Sequence, residues 1–221
     1  MARCNVISHR GANKEAPQNT LPAFRRSLEI GVDGFETDIH LSKDGVPVVC
    51  HNYTIDETSD GTGKINDLTL EQLRSHDFGS YYNEKFKGTT LPTLEEFLAL
   101  CENADIQIMN IEIKPPLDGN MAIVEKTITA VKEHGLFDKL LISSFDPNVL
   151  VECKRIDSKC KTGFLYAPNK VFFYKEMLFG YVKFAKKNQS RLSSSSLFCS
   201  YKDLCQKTSQ ERHRRKSLDC K

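Results

Sequence analysis

Short apolar runs alternate with longer amphipathic stretches over most of this chain. CNVISH (4–9) reads as a strand. NTLPAFRRSLEIG (19–31) reads as a helix with Asn19 as its N-cap and Gly31 just past its end. DGFETDIHL (33–41) is the second strand, SKDG a turn, and VPVVCH (46–51) a strand folded back as a hairpin extension. Residues 53–92 break the rhythm. They are polar and glycine-rich, with one short helix at LTLEQLRSHD, and read as an insertion. The alternation then resumes. TLEEFLALCEN is a helix opened by a Thr93–Glu96 capping box, IQIMNIEIK a strand, NMAIVEKTITAVKEHG a helix and KLLISSF a strand. DPNVLVECKRID is a helix with Asp146 as cap and Pro147 in its first turn, and KTGFLY a strand. Alternating β and α elements predict a parallel sheet with helical crossovers.

Such a sheet is either open and doubly wound or closed into a barrel. Polar residues cluster at the ends of several different strands: His9 and Arg10 after the first, Glu36 and Asp38 on the second, Glu112 and Lys114 on the third, Ser143, Ser144 and Phe145 at the fourth. A (β/α)8 barrel assembles its site from many strand ends in this way. A dinucleotide-binding fold needs a glycine-rich turn after the first strand, and SHRGANKE has one glycine.

Composition adds little: 39% hydrophobic and 27% charged is ordinary for a globular protein. No run has the length of a membrane-spanning helix. The first apolar run begins almost at the first residue, which leaves no room for a signal peptide and points to a cytoplasmic protein. The eight cysteines include no C-x-x-C pair and several lie in apolar runs, so they read as free buried thiols, not as disulfides or a zinc site. The net charge of +2 conceals an asymmetry. From Lys183 onward there are 11 Lys and Arg against 3 Asp and Glu, so the body is acidic and the tail basic.

Side chains two apart on a strand share a face, so Glu36 projects with Asp38, and Glu112 with Lys114. Three converging carboxylates repel unless a cation lies between them. An all-oxygen donor set selects a hard one, Mg²⁺ or Ca²⁺. Arg10 and Lys114 add positive charge suited to a phosphate. His9 and His51 titrate near neutrality, so one can take a proton from a nucleophile and the other give one to a leaving oxygen. Together these groups describe phosphodiester hydrolysis. His40, His76, His134 and His213 lie outside any such pattern and read as structural. DGTGK (60–64) lacks the spacing of a phosphate loop and reads as a turn.

The stretches HRGANKEAPQNTLPAF, GFETDIHLSKDGVPVVCHN and NIEIK resemble the glycerophosphodiester phosphodiesterase family, whose pattern is H-R-G, then E-x-D with a D-G turn and H-D/N, then E-x-K. The resemblance spans residues 5–166. It implies a TIM barrel with a small insertion after the second strand, and one divalent cation held by Glu36, Asp38 and Glu112. It further implies that His9 and His51 are the acid/base pair and that Arg10 and Lys114 hold the phosphate. The expected reaction releases glycerol 3-phosphate and an alcohol, with water or the glycerol 2-hydroxyl attacking first. Asn52 stands where the family often has Asp. The expected partner is a small glycerophosphodiester, with no nucleic acid and no stable membrane insertion.

Only five barrel strands are legible, and the chain has no Trp, although the family's later strands usually carry one. KVFFYKEM onward, to Lys187, can form an amphipathic helix. Residues 188–221 are Ser-rich and basic and read as a tail with no strand pattern. The expected organisation is a barrel domain over 1–187, incomplete at its C-terminal side, followed by that tail. Two alternatives stand beside the phosphodiesterase: a related TIM-barrel phospholipase, and an inactive truncated fragment that at most binds anions.

Overall fold

The computed structural model describes residues 4–165. The expectations for a helix up to Lys187 and for a tail over 188–221 lie outside the described residues. Five parallel strands, β1 (Ile7–His9), β2 (Gly34–Leu41), β4 (Ile108–Ile113), β5 (Leu140–Ser144) and β6 (Lys161–Phe164), form a sheet in the order β1-β2-β4-β5-β6. The hairpin strand β3 (Pro47–Val49) pairs antiparallel with β2 off this path. The helices α1 (Leu21–Ile30), α3 (Leu94–Glu102), α4 (Ala122–Glu133) and α5 (Pro147–Ile156) follow strands in turn, and a short α2 (Leu70–Arg74) lies in the insertion. This is an arc of β/α units, and among the described residues it does not close into a barrel. No helix of the described residues is long and apolar enough to cross a membrane.

The period of two divides the sheet by chemistry. Phe35, Ile39, Met109, Ile111, Ile113 and Ile142 are fully buried and belong to the main hydrophobic core. α1, α3, α4 and α5 pack side by side in sequence, and each contributes buried residues to that core. Phe24, Phe35 and Phe97 meet there, with ring centroids 4.7 to 5.8 Å apart. Alternate residues point to the other face, where the register aligns His9 with Glu36, Glu36 with Asn110, Asp38 with Glu112, and Glu112 with Ser143. The insertion has its own small core of Ile55, Ile65, Leu73, Phe78 and Leu91, packed against Val48 and Cys50. That core steadies the chain just after His51.

Helix ends follow their sequence signals with one exception. Thr93 and Glu96 form the expected capping box, Asp146 accepts from the Asn148 amide, and Gly31 closes α1 in the left-handed region. Asn19 is not the cap of α1. Thr20 occupies that position but does not cap the helix, because its hydroxyl donates to the Pro17 carbonyl at 2.6 Å, and the Asn19 amide is taken up by β2. The first strand is also shorter than the apolar run. The Val6 amide bonds to the Asp33 side chain at 2.7 Å and so leaves the ladder.

Candidate active site

The seven residues singled out in the sequence converge at the carboxyl ends of β1, β2 and β4 and on the segment after β3. Glu36 and Asp38 lie two apart on β2, and Glu112 sits beside Asp38 on β4. One carboxylate oxygen from each of the three lies within 4.8 Å of the others, and all three residues are buried. Lys114, just beyond β4, bridges two of them, with its ammonium 2.7 Å from Asp38 Oδ1 and 2.5 Å from Glu112 Oε1. Arg10 approaches the opposite oxygen of Asp38 at 3.4 Å, and His9 Nε2 lies 3.7 Å from Glu36 Oε2. His51 lines a cleft of about 470 Å³ together with Asn52, Tyr53, Glu57, Glu112 and Lys114.

The turn after β1 explains how Arg10 reaches this point. Its backbone is left-handed at φ 57°, a conformation that is uncommon outside glycine. It is held by the Arg10 amide, which donates to the Glu36 backbone oxygen at 2.9 Å and lies 3.2 Å from Glu36 Oε2. Gly11 follows at φ 77°, and a Cβ there would lie 2.7 Å from the Ala23 Cβ of α1, so the turn can press against the helix only with glycine. Arg10 Nη1 donates to Gln18 at 2.9 Å. Asn19, also left-handed, donates from Nδ2 to Asp38 Oδ2 at 2.9 Å and accepts from the Thr37 hydroxyl at 3.0 Å. One buried side chain therefore ties the start of α1 to the carboxylate cluster.

The electrostatics are uneven across the cluster. Burial alone would raise the Asp38 pKa, but the Lys114 charge and hydrogen bond, then Arg10 and Asn19, hold it below the usual aspartate value. Burial, followed by the charges of Asp38 and Glu112, pushes Glu36 up to about 8. Glu112 is also raised, by burial that Lys114 only partly offsets. Lys114 is raised because its two carboxylate partners outweigh desolvation. Burial, then the Arg10 charge, lowers His9 to about 4, and burial lowers His51. Three carboxylates thus face two cations, Arg10 and Lys114, and burial together with the neighbouring carboxylates favours the protonated form of Glu36. Two buried oxygens beside them, Asn110 Oδ1 next to Glu36 and Ser143 Oγ next to Glu112 in the register, have no hydrogen-bond partner among the described residues. A hard cation, with the oxygens it carries, fits this set of donors.

Three residues outside the expected set contribute around the cluster. Asn110 lies two before Glu112 on β4, so the period of two already placed it on the carboxylate face. Asn19 was masked by its resemblance to a helix cap. His40, read as structural, is buried with its pKa lowered to about 4, chiefly by burial, and its Nε2 lies 3.3 Å from the His51 carbonyl, where it can hold the segment that carries His51.

Comparison with known proteins extends the picture. The sequence pattern of the glycerophosphoryl diester phosphodiesterase family matches residues 9–208. A glycerophosphodiester phosphodiesterase of Caldanaerobacter subterraneus is 42% identical over 161 residues, 73% of this chain and 66% of that protein. Human glycerophosphodiester phosphodiesterase 1 is 32% identical over 168 residues, 75% of this chain and 50% of that protein. A solved phosphodiesterase of Oleispira antarctica, in complex with the product sn-glycerol-3-phosphate, superposes with a TM-score of 0.69 at 32% identity, over 73% of this chain and 65% of that one. The chain spans between half and two thirds of the length of these relatives.

Proposed function

This chain belongs to the glycerophosphoryl diester phosphodiesterase family, and on that premise we propose that it hydrolyses glycerophosphodiesters to sn-glycerol 3-phosphate and an alcohol at the cluster described above. The observation that carries the reading is the buried triad of Glu36, Asp38 and Glu112, flanked by two cations and by two imidazoles whose pKa values burial lowers. In this reading the three carboxylates hold one divalent cation, Mg²⁺ or Ca²⁺, because all their donors are oxygen. The cation would polarise a phosphate oxygen. Arg10 and Lys114, already paired with Asp38 and Glu112, turn their remaining N–H donors to the phosphate. An uncharged imidazole suits removal of a proton from water or from the glycerol 2-hydroxyl. The other ring, charged by the anionic substrate beside it, protonates the leaving oxygen. The sn-glycerol-3-phosphate held by the Oleispira relative supports the choice of substrate class. The five free cysteines of the described residues support a reducing, cytoplasmic setting.

Incubating the full chain with glycerophosphocholine and following products by phosphorus NMR tests this reading. The expected product is glycerol 3-phosphate, with loss of turnover in both His9→Ala and His51→Ala. Turnover of lysophospholipids or sphingolipids with none of glycerophosphocholine would assign the site to a barrel phospholipase instead.

A further inference from the structure

Beyond the seven residues of the cluster, the segment after β3 carries a chain of hydrogen bonds that ends on His51. Asn52 Nδ2 lies 2.8 Å from Glu57 Oε2, and Asn52 Oδ1 lies 2.6 Å from His51 Nδ1. A carboxylate accepts and does not donate, so the amide NH2 is the group that faces Glu57. The amide carbonyl then faces the imidazole, and a carbonyl also only accepts, so Nδ1 carries the ring hydrogen. An uncharged imidazole has one such hydrogen, which leaves Nε2 as a bare lone pair. The surroundings keep the ring in place. The His51 carbonyl lies 3.3 Å from His40 Nε2, the His40 ring stands edge-on to Tyr53 with centroids 4.9 Å apart, and the Tyr53 hydroxyl donates to the Pro115 carbonyl at 3.0 Å.

We propose that Glu57 and Asn52 form a positioning relay that fixes the tautomer of His51, with the proton on Nδ1 and Nε2 as the ring's proton acceptor in the cleft. The inference rests on the reading of His51 as a proton-transfer group. It explains how Asn serves beside this histidine: alone, an amide can present either end to the ring, and the exposed carboxylate of Glu57 decides which.

The relay makes a prediction that a merely structural contact does not. Glu57→Lys replaces an acceptor by a donor, so Asn52 turns its carbonyl to the ammonium and its NH2 to the ring. Nδ1 must then accept, and the proton moves to Nε2. Adding Asn52→Asp to Glu57→Lys restores an acceptor at Nδ1 and with it the original tautomer. Long-range proton–nitrogen correlation NMR on the full chain labelled at histidine nitrogens reads this directly, with the His51 signals identified by their loss in His51→Gln. The expected results are Nδ1–H in the parent, Nε2–H in Glu57→Lys, and Nδ1–H again in the double variant. In parallel, kcat for glycerophosphocholine falls at least about tenfold in Glu57→Lys and recovers in the double variant. Glu57 is exposed, so the single variant leaves the fold intact. Nε2–H in the parent, or an unchanged tautomer in Glu57→Lys, overturns the relay. The NMR readout needs no turnover, so an inactive chain with the expected tautomers would count against the proposed reaction and not against the relay.

Discussion

Glu36→Gln separates the metal-free and metal-bound states of the carboxylate cluster. In the metal-free protein, burial and the charges of Asp38 and Glu112 lift Glu36 from 4.5 to about 8. A carboxyl raised in this way keeps its proton in the folded state over a range where the unfolded chain loses it. Its favourable contribution is complete below pH 4.5, drains away as pH rises, and is gone above about 8. At pH 7 the unfolded-state advantage covers about 2.5 pH units, or about 3 kcal/mol at 1.36 kcal/mol per unit. Glutamine copies the protonated carboxyl at every pH. In EDTA the variant is therefore more stable than the parent by up to about 3 kcal/mol at pH 7, and the two converge below about pH 4.5. Added Mg²⁺ or Ca²⁺ closes most of this gap. The parent gains about 2.7 kcal/mol at a metal concentration a hundredfold above Kd, and the variant, short of one anionic ligand, gains much less. Urea unfolding followed by circular dichroism, in EDTA and then with metal, measures both effects. A variant less stable than the parent in EDTA at pH 7, or one that gains as much from metal, would show that Glu36 is neither raised by its neighbours nor a metal ligand.

Three further outcomes follow from the same geometry. Lys114→Met removes the ammonium that bridges Asp38 and Glu112 and leaves buried carboxylates unpaired, so unfolding in urea should show a loss of about 3–5 kcal/mol in EDTA, smaller when metal is present. Asn19→Ala removes the bonds to Asp38 and Thr37. It should cost about 1–3 kcal/mol and weaken metal binding, measured by calorimetry, by about 10- to 100-fold. His134 lies between Glu95 and Glu102 at 2.7 and 2.5 Å. Burial would lower its pKa, but the bonds to the two carboxylates raise it above 6.5, so its contribution is complete below pH 6.5 and lost as pH climbs through the raised value. A Tm series should therefore show His134→Gln below the parent at pH 6, with the gap closing at higher pH.

The elements that the sequence made legible are those whose signal is local. The period of two in GFETDIHL and IQIMNIEIK announced both the strands and the shared face of Glu36, Asp38 and Glu112. Thr93 with Glu96, and Asp146 with Pro147, announced helix starts that depend on neighbouring backbone alone. What escaped depends on contacts distant in sequence. Asn19 has the chemistry of a cap, and only the approach of β2 shows that its amide serves Asp38 instead. The pairing of Lys114 with Asp38 joins residues 76 apart, so the sequence could place both at strand ends without showing that they hold each other. The orientation of Asn52 depends on Glu57 in the insertion, a segment whose irregular pattern hid its role beside the site.

If Glu36, Asp38 and Glu112 form the metal centre of a glycerophosphodiester hydrolase, turnover requires a bound divalent cation. The most direct measurement is glycerol 3-phosphate release from glycerophosphocholine by the purified full chain after chelation, with Mg²⁺ or Ca²⁺ then titrated back. The expected results are no release in EDTA, recovery that saturates with one cation per chain, and no recovery in Glu36→Gln. Release that persists in EDTA, or recovery that survives Glu36→Gln, would rule out this metal centre.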